Sequence, residues 1–234
     1  MADEYKYDGI TSDSLFLLAR NRFENDKSFY EEHKNEIKKG VITPVKQIIN
    51  ALIDDMFSYD SRMVLIPWKM VSRIRRDTRY SKDKSLYREN VWVMFMRDKK
   101  SNPYIPCFWL EIFPDKYTCG VGTFYTNATY LEIYRKQVIS EPDRLRKAIK
   151  SCKDAGAVLS MDSYKKAKPG DCPKDLIEFY NIKDLYFKCD FYNITDLEKP
   201  DFIEEIRQKY RAFYPLYEFF IDVTDKYIAL TGGD

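Results

Sequence analysis

Glycine is scarce in this chain of 234 residues, which contains only 8 of them. The average share in proteins, about 7%, would give roughly twice that number. The scarcity disfavours glycine-rich phosphate loops and glycine-punctuated β-repeats. Gly120 and Gly122 lack the third glycine and the following helix of a dinucleotide fingerprint, so we expect them to let another element approach a sheet closely. No Walker, G-x-S-x-G or H-E-x-x-H motif occurs.

Histidine and closely spaced cysteines are also missing. His33 is the single histidine, and none of the five cysteines forms a C-x-x-C pair. Zinc sites and disulfide frameworks are therefore disfavoured, and a reducing cytoplasm fits the cysteine usage best. The sequence predicts no bound metal and no cofactor. Because His33 shares an apolar helix stripe with Phe29 and Ile37, we expect it to be dispensable for function.

Long apolar runs are absent as well, since no stretch approaches the ~20 residues that a membrane helix needs. The polar, acidic first residues do not resemble a signal peptide. The 39 lysines and arginines nearly balance the 37 acids, giving a formal net charge of +2 and an isoelectric point near 8.1. A nucleic-acid-binding domain usually has an isoelectric point above ~9. The sequence predicts a cytoplasmic protein with no membrane partner and disfavours nucleic acid, and it leaves the oligomeric state open.

Helices are predicted in the first part of the chain. Hydrophobic residues make up 44% and aromatic residues 16%, so rings should fill much of the core. The first helix is expected to bury Phe23, and Asn25 or Asp26 is suited to cap the second. Gly40 and Pro44 predict a break or kink before the third.

Strands are predicted in the middle of the chain, at residues 91–96, 107–113 and 117–124. Residues 113–116 have the composition of a turn, so the last two strands should form an antiparallel hairpin. One further strand is predicted at 185–192.

Helices return in the last part of the chain. They are predicted at 127–139, after an S-x-x-D cap at 140–143, and from about residue 200 onwards, with a kink at Pro215. The whole predicts an α+β fold, in which a central antiparallel sheet (a meander around residues 91–124 plus further strands) packs with N-terminal and C-terminal helices. We expect a single domain over residues 1–234, with a core of about 12–230 and flexible polar termini.

Positive charge is concentrated in residues 73–88, called here the basic motif. It contains seven bases and two acids, a net charge of +5, so the rest of the chain sums to −3. If residues 71–75 are extended, Arg73 and Arg75 share one face while Ile74 points to the other. Guanidinium groups offer planar forks to carboxylate or phosphate, which favours a pocket for an anion. The alternative is an ion-pair lattice in which Asp77 and Asp83 orient the arginines and hold the loop.

The motif also resembles a known sequence pattern. Its run, R-I-x-R-D-x-R-Y-S-K-D-K-x-x-Y-R, is similar to the hallmark R-I-x-R-D-T-R-F-S-K-D-K-x-P-Y-K of a family of bacterial and fungal conserved hypothetical proteins, a domain of unknown function. Tyr80, Leu86 and Arg88 are the departures within it. Segments 25–30, 109–122 and 174–177 resemble further parts of the family, although the last lacks the family's histidine. The resemblance spans roughly residues 12–228 and implies membership without an activity.

The leading hypothesis is a protein that binds a small anionic ligand, a phosphate ester or a carboxylate, through the basic motif. Whether it is an enzyme stays open; if it is, Asp77 or Asp83 would accept a proton and the arginines would stabilise negative charge. One alternative is a non-catalytic interaction module for an acidic protein or nucleic acid, and another is a purely structural motif. The candidate ligand-binding residues are Arg73, Arg76, Asp77, Arg79, Lys82, Asp83, Lys84 and Arg88.

Overall fold

The computed structural model describes residues 6–100, 104–166, 168 and 170–232. An antiparallel sheet lies at its centre, with the strand order β1-β2-β3-β5-β4. The predicted α+β class and the central sheet are confirmed. Within the described residues, the strands are β1 (Val91–Phe95), β2 (Cys107–Ile112), β3 (Tyr117–Thr123), β4 (Val158–Ser163) and β5 (Ile182–Phe191).

The N-terminal helices are α1 (Ser12–Glu24), α2 (Lys27–Ile37) and α3 (Thr43–Tyr59). Asp26 caps α2, and its carboxylate accepts hydrogen bonds from the backbone N–H groups of Ser28 and Phe29. The expected break between α2 and α3 is instead a π-helical turn, Lys38–Ile42.

The expectation that Phe23 is buried was wrong, because this side chain is 86% exposed. It lies five positions beyond the buried Leu18. At 100° per residue that separation turns the side chain by about 140° around the helix, away from the stripe that packs on the core.

Short and long helices complete the fold: α4 (Pro67–Met70), α5 (Ala128–Ser140), α6 (Pro142–Asp154), α7 (Ile177–Tyr180) and α8 (Phe202–Thr231). The prediction of an S-x-x-D cap at 140–143 was wrong. Helix α6 begins at Pro142, whereas Ser140 still belongs to α5, and its hydroxyl donates to the carbonyl of Gln137. Helix α8 packs against β2, β3, α3, α5 and α6. The apolar positions that recur three and four residues apart along it are buried, namely Ile203, Ile206, Tyr210, Phe213, Tyr217 and Phe220.

The two faces of the sheet differ. On the inner face, rings of the strands meet α8, as where Phe108 stacks on Tyr217 at 4.8 Å between ring centroids. Because side chains alternate along a strand, the outer face carries Trp92 of β1, Trp109 of β2 and Tyr186 of β5. Among the described residues, no helix is long and apolar enough to cross a membrane.

Candidate functional site

The basic motif runs beside the edge strand β1 and then folds back on itself. Ser72 donates its backbone N–H to the carbonyl of Trp92 (2.9 Å), which attaches the start of the motif to the sheet. Arg75 and Tyr87 face each other in an isolated antiparallel bridge. Ile74 and Tyr87 are buried, so the two sides of this loop are held by apolar side chains while the residues between them are left near the surface.

Asp83 is the centre of one ion-pair group in the motif. Its Oδ2 accepts a hydrogen bond from Arg76 and another from Arg22 of α1, at 2.9 Å from Arg22 Nη2. Its Oδ1 accepts from the hydroxyl and the backbone N–H of Ser85. The hydrogen bonds from Ser85, reinforced by Arg76, hold the pKa of Asp83 well below its usual range. This group joins the motif to the first helix.

Asp77 and Arg79 form a second group. Arg79 Nη2 lies 2.6 Å from Asp77 Oδ2, and its Nε lies 3.0 Å from Oδ1. The Arg79 side chain and backbone N–H hold the pKa of Asp77 well below its usual range. Lys84 donates to the carbonyl of Thr78 at 2.9 Å. Because Asp77 and Asp83 are both strongly stabilised as carboxylates, each is a weak proton acceptor at neutral pH.

Three bases of the motif take no part in these ion pairs and hydrogen bonds. Arg73, Arg75 and Lys82 are exposed and have no ion pair or side-chain hydrogen bond among the described residues. Arg73 and Arg75 line a depression of about 390 Å³ together with Arg76, Asp77 and Arg79. Arg75 was missing from the predicted site residues. The signal for it was already in the sequence, since it alternates with Arg73 in an extended segment.

A family model matches residues 14–219, which include the basic motif and the whole sheet. The chain belongs to DUF2461, a family of conserved hypothetical proteins. The predicted membership of a family of conserved hypothetical proteins is thereby confirmed. No curated protein matches the chain. DUF2461 is described without an activity, so the function has to be argued from the residues of this chain.

Arg88, the last residue of the basic motif in this DUF2461 protein, lies against an aromatic ring instead of an acid. Its guanidinium stacks on the ring of Trp92, 4.2 Å from the ring centroid. The Nε atom is buried and has no hydrogen-bond partner. Burial lowers the pKa of Arg88, and the positive charge of Arg76 lowers it further. Because an arginine is charged at any pH near neutrality, Arg88 is a half-buried cation next to an aromatic ring of the outer sheet face.

His33 lies apart from these groups. A nitrogen of its ring is 3.0 Å from the carbonyl oxygen of Phe29, one turn earlier on α2. The imidazole also stacks on the Phe29 ring at 4.2 Å between centroids. Among the described residues, no three His, Cys, Asp or Glu side chains come together in a way that could hold a metal ion.

Proposed function

We propose that this DUF2461 protein binds a small molecule with a phosphate or carboxylate group, and that Arg73 and Arg75 are its principal ligands. One observation carries the proposal. Two exposed guanidinium groups that form no ion pair in the described structure border the same depression as Arg76, Asp77 and Arg79. Several like charges this close repel each other, and an anion between them relieves that repulsion and accepts several charge-assisted hydrogen bonds.

The motif divides into a bracing part and a binding part. Arg76, Arg79 and Lys84 have partners in the loop, so the lattice interpretation accounts for them. It gives no role to Arg73, Arg75 or Lys82. We therefore assign the ion pairs to positioning the loop, and Arg73 and Arg75, which line the depression, to the ligand.

The size of the depression supports a small ligand over a macromolecule. Its volume of about 390 Å³ falls within the roughly 300–1,000 Å³ that is usual for small-molecule sites. An acidic protein or a nucleic acid would need a wider basic surface, and the rest of the chain carries a net charge of −3. For binding to duplex DNA, the logarithm of the binding constant would fall against the logarithm of the salt concentration with a slope of about −0.9 per phosphate contact. Binding of a small ligand in a compact site should depend less steeply on salt.

The test is a thermal-shift series with inorganic phosphate, pyrophosphate, citrate and AMP. A ligand at 100 times its Kd stabilises a protein by about 2.7 kcal/mol, which for a chain of this length raises the Tm by roughly 5–11 °C. Arg73→Ala and Arg75→Ala should abolish the shift and leave the Tm of the ligand-free protein within a degree or two. Arg22→Ala is the matched control, because it removes an arginine that pairs with Asp83 outside the depression.

The outcomes separate the interpretations. A shift in the parent and in Arg22→Ala, lost in Arg73→Ala and Arg75→Ala, supports the proposal. If no anion stabilises the parent, or if Arg73→Ala and Arg75→Ala keep the full shift, the proposal is wrong. A lowered Tm in both ligand-free variants would instead indicate that these arginines brace the fold.

A further inference from the structure

The outer face of the sheet contains a cleft of about 510 Å³, the size of a small-molecule site. It lies over β1, β2, β3 and β5 and is distinct from the depression at Arg73 and Arg75. Its lining combines aromatic rings with carboxylates, lysines and a hydroxyl. The residues are Trp92, Met94, Lys99, Trp109, Glu111, Phe113, Lys116, Thr118, Phe124, Tyr125, Tyr186, Lys188 and Asp190.

Aromatic rings form the fixed part of the cleft. Trp109 lies across Gly120 of the neighbouring strand so closely that a Cβ atom on Gly120 would be 2.2 Å from Trp109 Cζ2. The indole also meets Phe124 and Tyr186 edge-to-face, at 5.0 and 5.6 Å between ring centroids. Tyr186, Phe124 and Trp92 are half-buried, so part of each ring is accessible from the cleft.

A row of polar side chains crosses the sheet beside these rings. Glu111 of β2 is the register partner of Thr118 of β3, which in turn pairs with Asp190 of β5. Thr118 is 6% exposed, and its hydroxyl hydrogen-bonds the Asp190 carboxylate. Asp190 Oδ2 also pairs with Lys188 Nζ at 2.8 Å. A polar row beside aromatic rings favours a ligand that has both an apolar face and polar groups.

The pKa values of the two carboxyl groups in the row are shifted in opposite directions. Burial raises the pKa of Glu111, more than the hydrogen bond from Asn90 lowers it. Burial also opposes ionisation of Asp190, but Lys188 outweighs it and lowers the pKa, and the adjacent Thr118 adds to this effect. The carboxyl oxygens of the cleft accept hydrogen bonds and its lysines donate them, which favours a neutral ligand that can do both.

We propose that this cleft binds a neutral sugar ring of a saccharide. A sugar ring has an apolar C–H face, which packs on Tyr186 and its neighbouring rings, and an edge of hydroxyl groups. A hydroxyl both donates and accepts, so ligand hydroxyls can donate to the carboxyl groups of Glu111 and Asp190 and accept from Lys188, all of which line the cleft. The site goes beyond the anion binding proposed above and uses none of the same residues.

The experiment follows the indole N–H signals of the three tryptophans by NMR, in ¹⁵N-labelled full-length protein. The probes are cello-, malto-, xylo- and chito-oligosaccharides, with adenosine and uridine as comparisons that carry a planar heterocycle. Trp92 and Trp109 line the cleft, whereas Trp68 of α4 is 71% exposed elsewhere and serves as the internal reference. At least one oligosaccharide should shift the Trp92 and Trp109 signals saturably at millimolar concentration and leave Trp68 unmoved.

Two variants test the assigned contacts. Tyr186→Ala should weaken binding about tenfold by removing an aromatic face. Thr118→Val should also weaken binding, because it removes the hydroxyl that hydrogen-bonds the Asp190 carboxylate and holds it in place. Arg73→Ala is the control and should bind the saccharide as the parent does, which keeps this test independent of the anion site.

The proposal is overturned if no saccharide shifts Trp92 or Trp109, or if saccharide binding is unaffected by both Tyr186→Ala and Thr118→Val. It is also overturned if the nucleosides shift these signals and the saccharides do not, because the cleft would then be a site for planar heterocycles.

Discussion

Gly120→Ala is the substitution for which the structure makes the sharpest stability prediction. A Cβ atom at this position would lie 2.2 Å from Trp109 Cζ2 and 2.5 Å from the carbonyl oxygen of Phe187. Neither neighbour can withdraw easily. The indole is held by Phe124 and Tyr186, and the carbonyl belongs to the adjacent strand β5.

The magnitude is the balance of two effects. Overpacking of a filled site costs about 1–3 kcal/mol, and two contacts with fixed groups favour the upper end of that range. Replacing a glycine inside a strand by alanine regains about 0.5–1 kcal/mol of backbone entropy. The net loss should be about 2 kcal/mol, which lowers the Tm of a chain of this length by roughly 4–8 °C.

The assay combines thermal and urea unfolding with a double-mutant cycle. Trp109→Leu removes the part of the indole that reaches Gly120, so Gly120→Ala should cost less in that background than in the parent. Gly156→Ala is the comparison, since a Cβ atom on Gly156 would have no neighbour within 4 Å. Its cost comes from the left-handed backbone at φ 81° and should be the same with or without Trp109→Leu. A Gly120→Ala protein that melts within 1–2 °C of the parent would refute the close approach of Trp109 to Gly120. The same conclusion would follow if the stability losses of Gly120→Ala and Trp109→Leu were additive in the double mutant.

Three other substitutions have defined outcomes. Phe213→Ala should cost about 3–5 kcal/mol, because the ring is fully buried in α8; an unchanged urea midpoint would contradict its place in the core. Asp60→Ala should cost about 3–5 kcal/mol in urea unfolding, since the buried Asp60 carboxylate accepts hydrogen bonds from Arg97 Nε and the Tyr217 hydroxyl; a loss below about 1 kcal/mol would contradict this. Because burial raises the pKa of Glu111 above the ordinary 4.5, the folded protein binds this proton more tightly than the unfolded chain does, and the residue's contribution to stability falls as the pH rises above that value. Glu111→Gln should therefore gain stability relative to the parent as the pH rises above 4.5, and parallel pH profiles would count against it.

The fold was predictable to the extent that its apolar patterns are local. Residues 91–96 were predicted as a strand, and β1 occupies Val91–Phe95. The turn at 113–116 was also correct, since Phe113 N–H bonds the carbonyl of Lys116 at 2.8 Å. Strand β4 has no such pattern, because it lies at the edge of the sheet and its six residues are exposed or only half-buried. The position of β4 is set by its pairing with β5, and the residues of β4 alone show no pattern that would predict this pairing.

The basic motif was predictable as a region, but the roles of its residues were not. The charge excess over residues 73–88 identified it. Which arginines are braced depends on partners from other parts of the chain, such as Arg22, which reaches Asp83 from α1 across 61 positions. A carboxylate shared by two arginines leaves another arginine without a partner. Local counting of charges cannot decide which one, although the alternation of Arg73 and Arg75 in an extended segment did indicate that these two share a face.

The cleft on the outer face depends on strand register, which a one-residue shift would reverse for every side chain. Glu111, Thr118 and Asp190 come from three strands and are neighbours only because β2, β3 and β5 pair as they do. The sequence did indicate one part of the cleft, since Gly120 was expected to let another element approach the sheet closely. That neighbour is Trp109, from the adjacent strand. The absence of a side chain at Gly120 lets the indole lie across the neighbouring strand, where it lines the cleft. In this chain a scarce glycine is thus part of how the sheet forms the cleft.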